Sequence, residues 1–427
     1  MTGETEHAGA SAQMAAPCSA VSDAENVWAD VKDAMANRGI NAATQQHINA
    51  HWFVDGRPSS APMNPLLIRL GLSKHMIAED QFHPDHEKQR LEPKAKSLLT
   101  EMTPLWCSDI DGTLFRRRKD GLHPDVAAMV AFWMSCGGAF HVLSAGSAAG
   151  LARDGLDLVQ RIGDEMQRLS LVNAPGRVIQ ELMRFQMSNG ASVYSVINPS
   201  AQLGSGQLRF EQGPSIWMSE KAAAALHTFF EAEGFQVLAM DDDELSNMER
   251  AVSVFFLKHP FAEQPKDAIE LETRINRHLE KEHAPARILW LGGQRGRFDV
   301  FPVVNGEMVT KDTIFRAESI LHESVFFTGD RYLETYPDGS RGSDYPIVAL
   351  EKTVSHVQVE GVDGPIDVCR ALMPHLIRLM KRTLGAQGLR DELHGQQRLS
   401  ELIRTYGHED LLIEHAEVAS SPAGRAV

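Results

Sequence analysis

The sequence predicts an α/β protein: a doubly wound parallel core sheet, an inserted α+β cap domain and a helical N-terminal extension. Three observations predict it. Short apolar runs, such as Leu105-Trp106-Cys107-Ser108 and Ala139-Phe140-His141-Val142-Leu143, end in polar or acidic residues, as buried strands do at the edge of a sheet. Helical patterns separate these runs, and strand–helix–strand order indicates parallel pairing with right-handed crossovers. Finally, Ser144 and Lys311 stand 167 residues apart, where a bare crossover unit needs only about 30. The excess is room for an inserted domain at 190–298.

Taken in order, residues 1–24 are small and polar and read as a disordered tail. From Glu25 to about Lys96 the pattern is helical, broken at Gly56-Arg57-Pro58, so 1–98 form tail and extension. Its histidines (His47, His51, His75, His83 and His86) read as solvated groups. The core is assigned to 99–189 and 299–383. It opens with the strand ending at Ser108, a helix over His123–Cys136 stopped by Gly137-Gly138, a strand at Ala139–Leu143 and a helix from about Ala148 to Leu169. Within the cap, strands are expected at Ala191–Ile197, Ala251–Leu257 and Arg287–Leu291, and helices at Ser219–Gly234 and Lys266–His283. Strands at Phe298–Val304, Val325–Thr328, Pro346–Leu350 and Val354–Glu360 then return to the core. A helix follows from Pro365 to about Thr383, and 384–427 read as a helical, then polar, tail.

Charge and cysteine content limit the partners. Lys and Arg number 42 against 57 Asp and Glu, a formal net charge of −15. Duplex nucleic acid and anionic lipid both need a basic footprint, so neither fits as the main partner. The four cysteines, at 18, 107, 136 and 369, form no CxxC pair, which fits a reducing cytoplasm. No apolar run approaches the ~18 residues of a membrane span, and the N-terminus has no secretory pattern. Oligomeric state is left open.

The chemistry gathers at the strand ends, where ligands bind in parallel sheets. Asp109-Ile110-Asp111-Gly112-Thr113 follows the first apolar strand. Asp109 suits a carboxylate nucleophile for phosphorus, and Asp111 suits the acid that protonates the leaving oxygen and later activates water. Mg²⁺ beside them would offset charge repulsion. Gly112 and Thr113 let the backbone turn close to a substrate. Ser144, followed by Ala145 at a strand-to-helix junction, suits a phosphate oxygen. Lys311, at a helix start, can neutralise the transferring oxygens. Asp330 ends the strand Phe326-Phe327-Thr328-Gly329, and Asp344 lies in Gly342-Ser343-Asp344-Tyr345-Pro346. Both stand where metal ligands are expected.

These four motifs, in this order, resemble those of the haloacid dehalogenase-like superfamily of phosphatases and phosphomutases over about residues 104–375. The resemblance implies a Rossmann-like sheet, Mg²⁺ and an aspartyl-phosphate intermediate. It makes Asp109 the nucleophile and Asp111 the acid/base, the latter also binding metal through its backbone carbonyl. It makes Ser144 the phosphate hydroxyl, Lys311 the motif lysine, and Asp330 and Asp344 the metal-binding acids, with Asp338 and Glu334 as alternatives to Asp344. A cap at this position mostly accompanies sugar-phosphate substrates. Leu291-Gly292-Gly293-Gln294 and Phe298-Asp299-Val300-Phe301-Pro302 look like segments of eukaryotic-type phosphomannomutases, which would bring Asp299 near a sugar. The segment Met248–His259 lacks the arginines that hold a mutase's second phosphate. The expected activity is therefore a phosphatase acting on a small phosphorylated metabolite. A hexose phosphomutase and a binding module working through the N-terminal arm are the alternatives.

Overall fold

The computed structural model describes residues 21–54, 57–58, 104–115, 121–146, 151–197, 208–213, 216, 218–234, 236–238, 254–258, 265–292, 297–322, 324–348, 350, 355–358 and 363–406. Cys18, His75, His83, His86, the turn expected around Gly204 and the last polar residues lie outside the described residues.

Two helices come first, α1 (Val21–Ala36) and α2 (Ala42–Trp52). The first begins inside the stretch expected to be a tail. The helical pattern expected up to Lys96 gives way at Phe53–Val54, which pairs with Arg57–Pro58. Val27, Val31, Met35 and Ile48 pack on Ala317 and Leu321, so the extension sits on the core.

A first group of elements follows: β1 (Leu105–Ser108), α3 (Pro124–Ser135), β2 (Ala139–Leu143), α4 (Leu156–Arg168), α5 (Pro175–Leu182), β3 (Met183–Met187), β4 (Ser192–Ile197) and β5 (Arg209–Gln212). A second group is α6 (Glu220–Glu233), β6 (Gln236–Leu238), β7 (Val254–Lys258), α7 (Pro265–Lys281), β8 (Ala286–Leu289), β9 (Arg297–Val304) and β10 (Glu307–Met308). The chain then returns through α8 (Lys311–Leu321), β11 (Val325–Gly329), the single turn α9 (Tyr345–Val348), β12 (Ser355–Gln358), α10 (Gly364–Gly395) and α11 (Gln397–Thr405).

The core sheet has seven strands in the order β12-β11-β1-β2-β3-β4-β5. The pairs from β12 to β3 are parallel and the last two are antiparallel. Both faces are covered, which explains the unbroken apolar runs. In β1, Trp106 packs into one hydrophobic cluster, whereas Leu105 and Cys107 pack into another on the opposite face with Phe315 and Phe327. Helix α3 is buried from Val126 to Ser135, as a helix apolar all round must be. Pro124 presets its first turn, and the His123 ring accepts a bond from the Asp125 amide at 3.3 Å. Leu372, Leu376 and Met380 of α10 and Leu399, Leu402 and Ile403 of α11 share its core. Arg398 and Tyr406 both bond the Asp125 carboxylate, so the region beyond 384 is folded onto α3 as far as Tyr406.

A second, antiparallel sheet has the order β8-β9-β7-β6, with β10 paired to β9. Helices α6 and α7 pack on it through Leu226, Phe230, Ile275, Ile288 and Phe298. The insertion was expected at 190–298, but β4 and β5 pair within the core sheet and β9 lies in the second sheet. The reason is packing: Val196 joins the core cluster, whereas Phe298 and Val300 join the α6–α7 cluster. Pro346–Leu350, read as a strand, begins as the helical turn α9.

Gly190, in the turn between β3 and β4, has φ +97°, and a Cβ there would stand 1.8 Å from Ile314 Cδ1, a buried side chain with no room to withdraw. Gly234, which ends α6 at φ +71°, has nothing within 4 Å of its Cβ position. Gly234→Ala should therefore cost only left-handed strain, about 1–2 kcal/mol. Gly190→Ala should cost a further ~1–3 kcal/mol for overpacking. Urea unfolding of the two variants checks this, and equal losses would contradict the packing described.

Candidate active site

The site is built where β1 ends beside β11. The Asp109 amide donates to Thr328 O at 2.9 Å, which carries the ladder one residue past the strand. Behind it runs a buried hydrogen-bond chain. Trp106 Nε1 donates to Thr328 Oγ1 at 3.0 Å, Thr328 Oγ1 to Ser108 Oγ at 2.8 Å, and Ser108 Oγ to the Asp109 carbonyl at 2.9 Å. The chain then turns tightly, with the amides of Thr113, Leu114 and Phe115 all donating to Ile110 O. Gly112 takes φ +75°, and a Cβ there would lie 2.4 Å from Asp330 Oδ2. Only glycine lets this turn come so close to the acid.

Lys311, at the start of α8, is buried and bonds two carboxylates. Its Nζ lies 3.0 Å from Asp109 Oδ1 and 2.7 Å from Asp344 Oδ1. The other Asp344 oxygen accepts from the amides of Asp330 and Arg331, each at 3.1 Å. Burial alone would lower the lysine's pKa, but the two acids outweigh it and hold the ammonium charged. Burial pushes the Asp109 carboxyl up to about 8, with Lys311 opposing and Asp344, Asp330 and Asp111 adding to the rise. Burial and Asp344 push Asp330 up to about 6. One lysine thus leaves the acids short of positive charge.

Asp109, Asp330 and Asp344 each place an oxygen within 4.8 Å of the others. An all-carboxylate set beside under-compensated acids fits a hard divalent cation such as Mg²⁺.

Ser144 is buried at the end of β2. Its amide donates to Gln186 O at 2.9 Å, its Oγ accepts from the Gly146 amide at 3.0 Å, and its carbonyl accepts from the Asn189 amide at 3.0 Å. Ala145 follows half-buried, Thr113 is buried in the turn and Asp111 is exposed on its rim. The structure therefore brings Asp109, Lys311, Asp330 and Asp344 into one cluster, with Gly112 against it.

Asp299, expected near a substrate, lies on the second sheet beside the Ser144 loop. It is fully buried on β9, paired on both sides by β7 and β8, and accepts from Asn189 Nδ2 at 3.1 Å. Its neighbours Phe298 and Val300 pack under α6 and α7, so Asp299 points from the opposite face of the sheet, toward Asn189. Asp338 and Glu334 are also accounted for. Asp338 accepts from the amide and hydroxyl of Ser340, closing its own loop, and Glu334 is exposed. Sequence reasoning missed Arg331, which stacks 3.9 Å above the Tyr336 ring and donates to Leu291 O at 2.8 Å. It also missed Arg341, 3.0 Å from Glu272 of α7. Two arginines in the long 330–344 loop were the available signal.

No family model matches the chain, and no curated protein matches it. Solved structures do. An N-terminally truncated IMP-nucleotidase of Plasmodium falciparum matches at 13% identity over 82% of this chain and 92% of that one, with a TM-score of 0.40. A haloacid dehalogenase-like hydrolase from Bacteroides thetaiotaomicron matches at 12% over 61% and 95%, with a TM-score of 0.38. A subclass IIB sugar phosphatase of the same superfamily matches at 13% over 64% and 98%, with a TM-score of 0.37. The chain is thus similar to haloacid dehalogenase-like phosphatases and hydrolases, at identities and scores that carry no activity across.

Lys311→Ala would leave Asp109 and Asp344 buried without their countercharge. The expected loss is about 3–5 kcal/mol, with much of it regained in Lys311→Met/Asp344→Asn, as read by denaturant unfolding without Mg²⁺.

Proposed function

We propose that this protein is a cytoplasmic, Mg²⁺-dependent phosphomonoester hydrolase acting on a sugar phosphate or similar small metabolite through an aspartyl phosphate on Asp109. The observation that carries the reading is the Asp109 carboxylate itself. It is buried at the carboxyl end of a central parallel strand, 3.0 Å from Lys311 Nζ and grouped with Asp330 and Asp344. Three buried free thiols, Cys107, Cys136 and Cys369, support a reducing compartment. Among the described residues no helix is long and apolar enough to cross a membrane.

Asp109 attacks phosphorus in line, and Asp111, on the exposed rim of the same turn, gives its proton to the leaving alcohol oxygen. Asp111 then takes a proton from water. That water attacks phosphorus, breaks the acyl-phosphate bond and restores the Asp109 carboxylate. Lys311 keeps Asp109 oriented and offsets charge on the transferring group. The Ser144 hydroxyl, with the backbone at Gly112, Thr113 and Ala145, receives the phosphate. Asp109, Asp330, Asp344 and the Asp111 carbonyl would hold Mg²⁺, whose chemistry is to neutralise the charge shared by carboxylates and phosphate. A cation there would favour the ionised form of Asp109, which burial and the neighbouring acids oppose.

A panel of hexose phosphates and nucleoside monophosphates, inosine monophosphate included, tests this by phosphate release. The wild type should release phosphate with Mg²⁺ and stop on chelation, and Asp109→Asn should lower kcat by at least about 10³-fold. Unchanged release by that variant would refute the mechanism. Isomer exchange that needs a bisphosphate would identify a mutase instead.

A further inference from the structure

A second group of ligand-type side chains lies buried beneath the sheet, apart from the carboxylate site. His141 is the middle residue of β2, and Glu318 and His322 stand one turn apart at the C-terminal end of α8. All three are buried. His141 Nδ1 is 3.5 Å from Glu318 Oε1, and His322 Nε2 is 3.3 Å from Glu318 Oε2. One ligand atom from each lies within 4.8 Å of the other two. Two ligands on one ion with bonds of about 2.0–2.2 Å at tetrahedral angles are separated by roughly 3.3–3.5 Å, so these gaps have the right span.

The cluster is walled by a further buried polar side chain. Gln186 of β3 donates to Glu318 Oε1 at 2.7 Å, and the same amide nitrogen stands 3.3 Å from His141 Nδ1. His322 Nε2 faces the other Glu318 oxygen, so the carboxylate lies between the two imidazoles. Among the described residues, Gln186 Oε1 is buried and accepts no hydrogen bond, a state that is costly in the interior.

We propose that His141, Glu318 and His322 form a second metal site, for a zinc-class divalent ion, that ties α8 to β2. Two imidazoles and one carboxylate suit zinc and its first-row neighbours, whereas Mg²⁺ prefers an all-oxygen shell. The site joins the two elements that frame the catalytic cluster, since α8 begins at Lys311 and β2 runs into Ser144. His47 of α2 is buried as well, and Val31, Met35 and Ile48 of α1 and α2 pack on Ala317 and Leu321, which flank Glu318 on α8. The N-terminal extension thereby covers the site.

The full chain, stripped by chelator and reloaded with zinc, should retain one tight equivalent by atomic emission. Its cobalt form should show the strong visible bands of imidazole-bound, low-coordinate Co²⁺. Asp330→Asn, which alters the carboxylate site, should keep both the equivalent and the bands. His141→Gln and His322→Gln should lose them, or bind at least about 100-fold more weakly. Zinc should raise the melting temperature of the wild type but not of His322→Gln. A folded wild type that holds no zinc and gives no such bands overturns the proposal, and so does an equivalent lost in Asp330→Asn or kept in His322→Gln. If the histidine variants do not fold, the wild-type and Asp330→Asn cobalt spectra decide.

Discussion

One buried ammonium organises this molecule. Lys311 comes from a helix start, Asp109 from the end of β1, and Asp344 from a loop beyond β11, and the lysine touches both acids. None of the three charges is tolerable in the interior alone, because desolvation of an unpaired ion costs several kcal/mol. Their convergence constrains everything around it. Strands β1 and β11 must be neighbours, α8 must arrive with its first residue at their carboxyl edge, and the 330–344 loop must fold back so that Asp344 also collects two backbone amides.

The surrounding structure supports that arrangement from both sides of the sheet. The alternation in β1 sends Trp106 to one helical layer and Cys107 to the other, so a one-residue slip would drive the indole into the space that fits a thiol. The Trp106–Thr328–Ser108 chain ties the same two strands through polar groups beneath the Asp109 carboxylate. On the outer side, Arg331 stacks on Tyr336 while bonding Leu291 O, and Arg341 meets Glu272. The loop that delivers Asp344 is thereby fastened to the second sheet and its helix α7. Where a long loop must hold a buried acid still, stacked and paired arginines can fasten it.

Much of this was legible in the sequence, for physical reasons that can be traced. Buried parallel strands are short, apolar and end in polar residues, so β1, β2 and β11 stood out, and with them Asp109, Ser144 and Asp330. The insertion was legible as excess length, but its edges were not. Strand β4 alternates like any half-buried strand, and nothing local in Ser192–Ile197 says which sheet it will join. His47 was read as solvated because burial by a distant helix leaves no local trace. His141 was passed over because a single histidine within an apolar strand acquires partners only when α8, some 180 residues later, is laid beside it.

The bond between Asn189 and Asp299 has a mechanical consequence. Asn189 sits at φ +53° in the turn leading out of β3, holds Asp299 of the second sheet through its side chain, and holds the carbonyl of Ser144 through its backbone amide. One residue therefore serves as a fulcrum with a load on each arm. The second sheet and the loop around Ser144 are thereby tied through a single residue, and a change at position 189 would loosen both attachments at once.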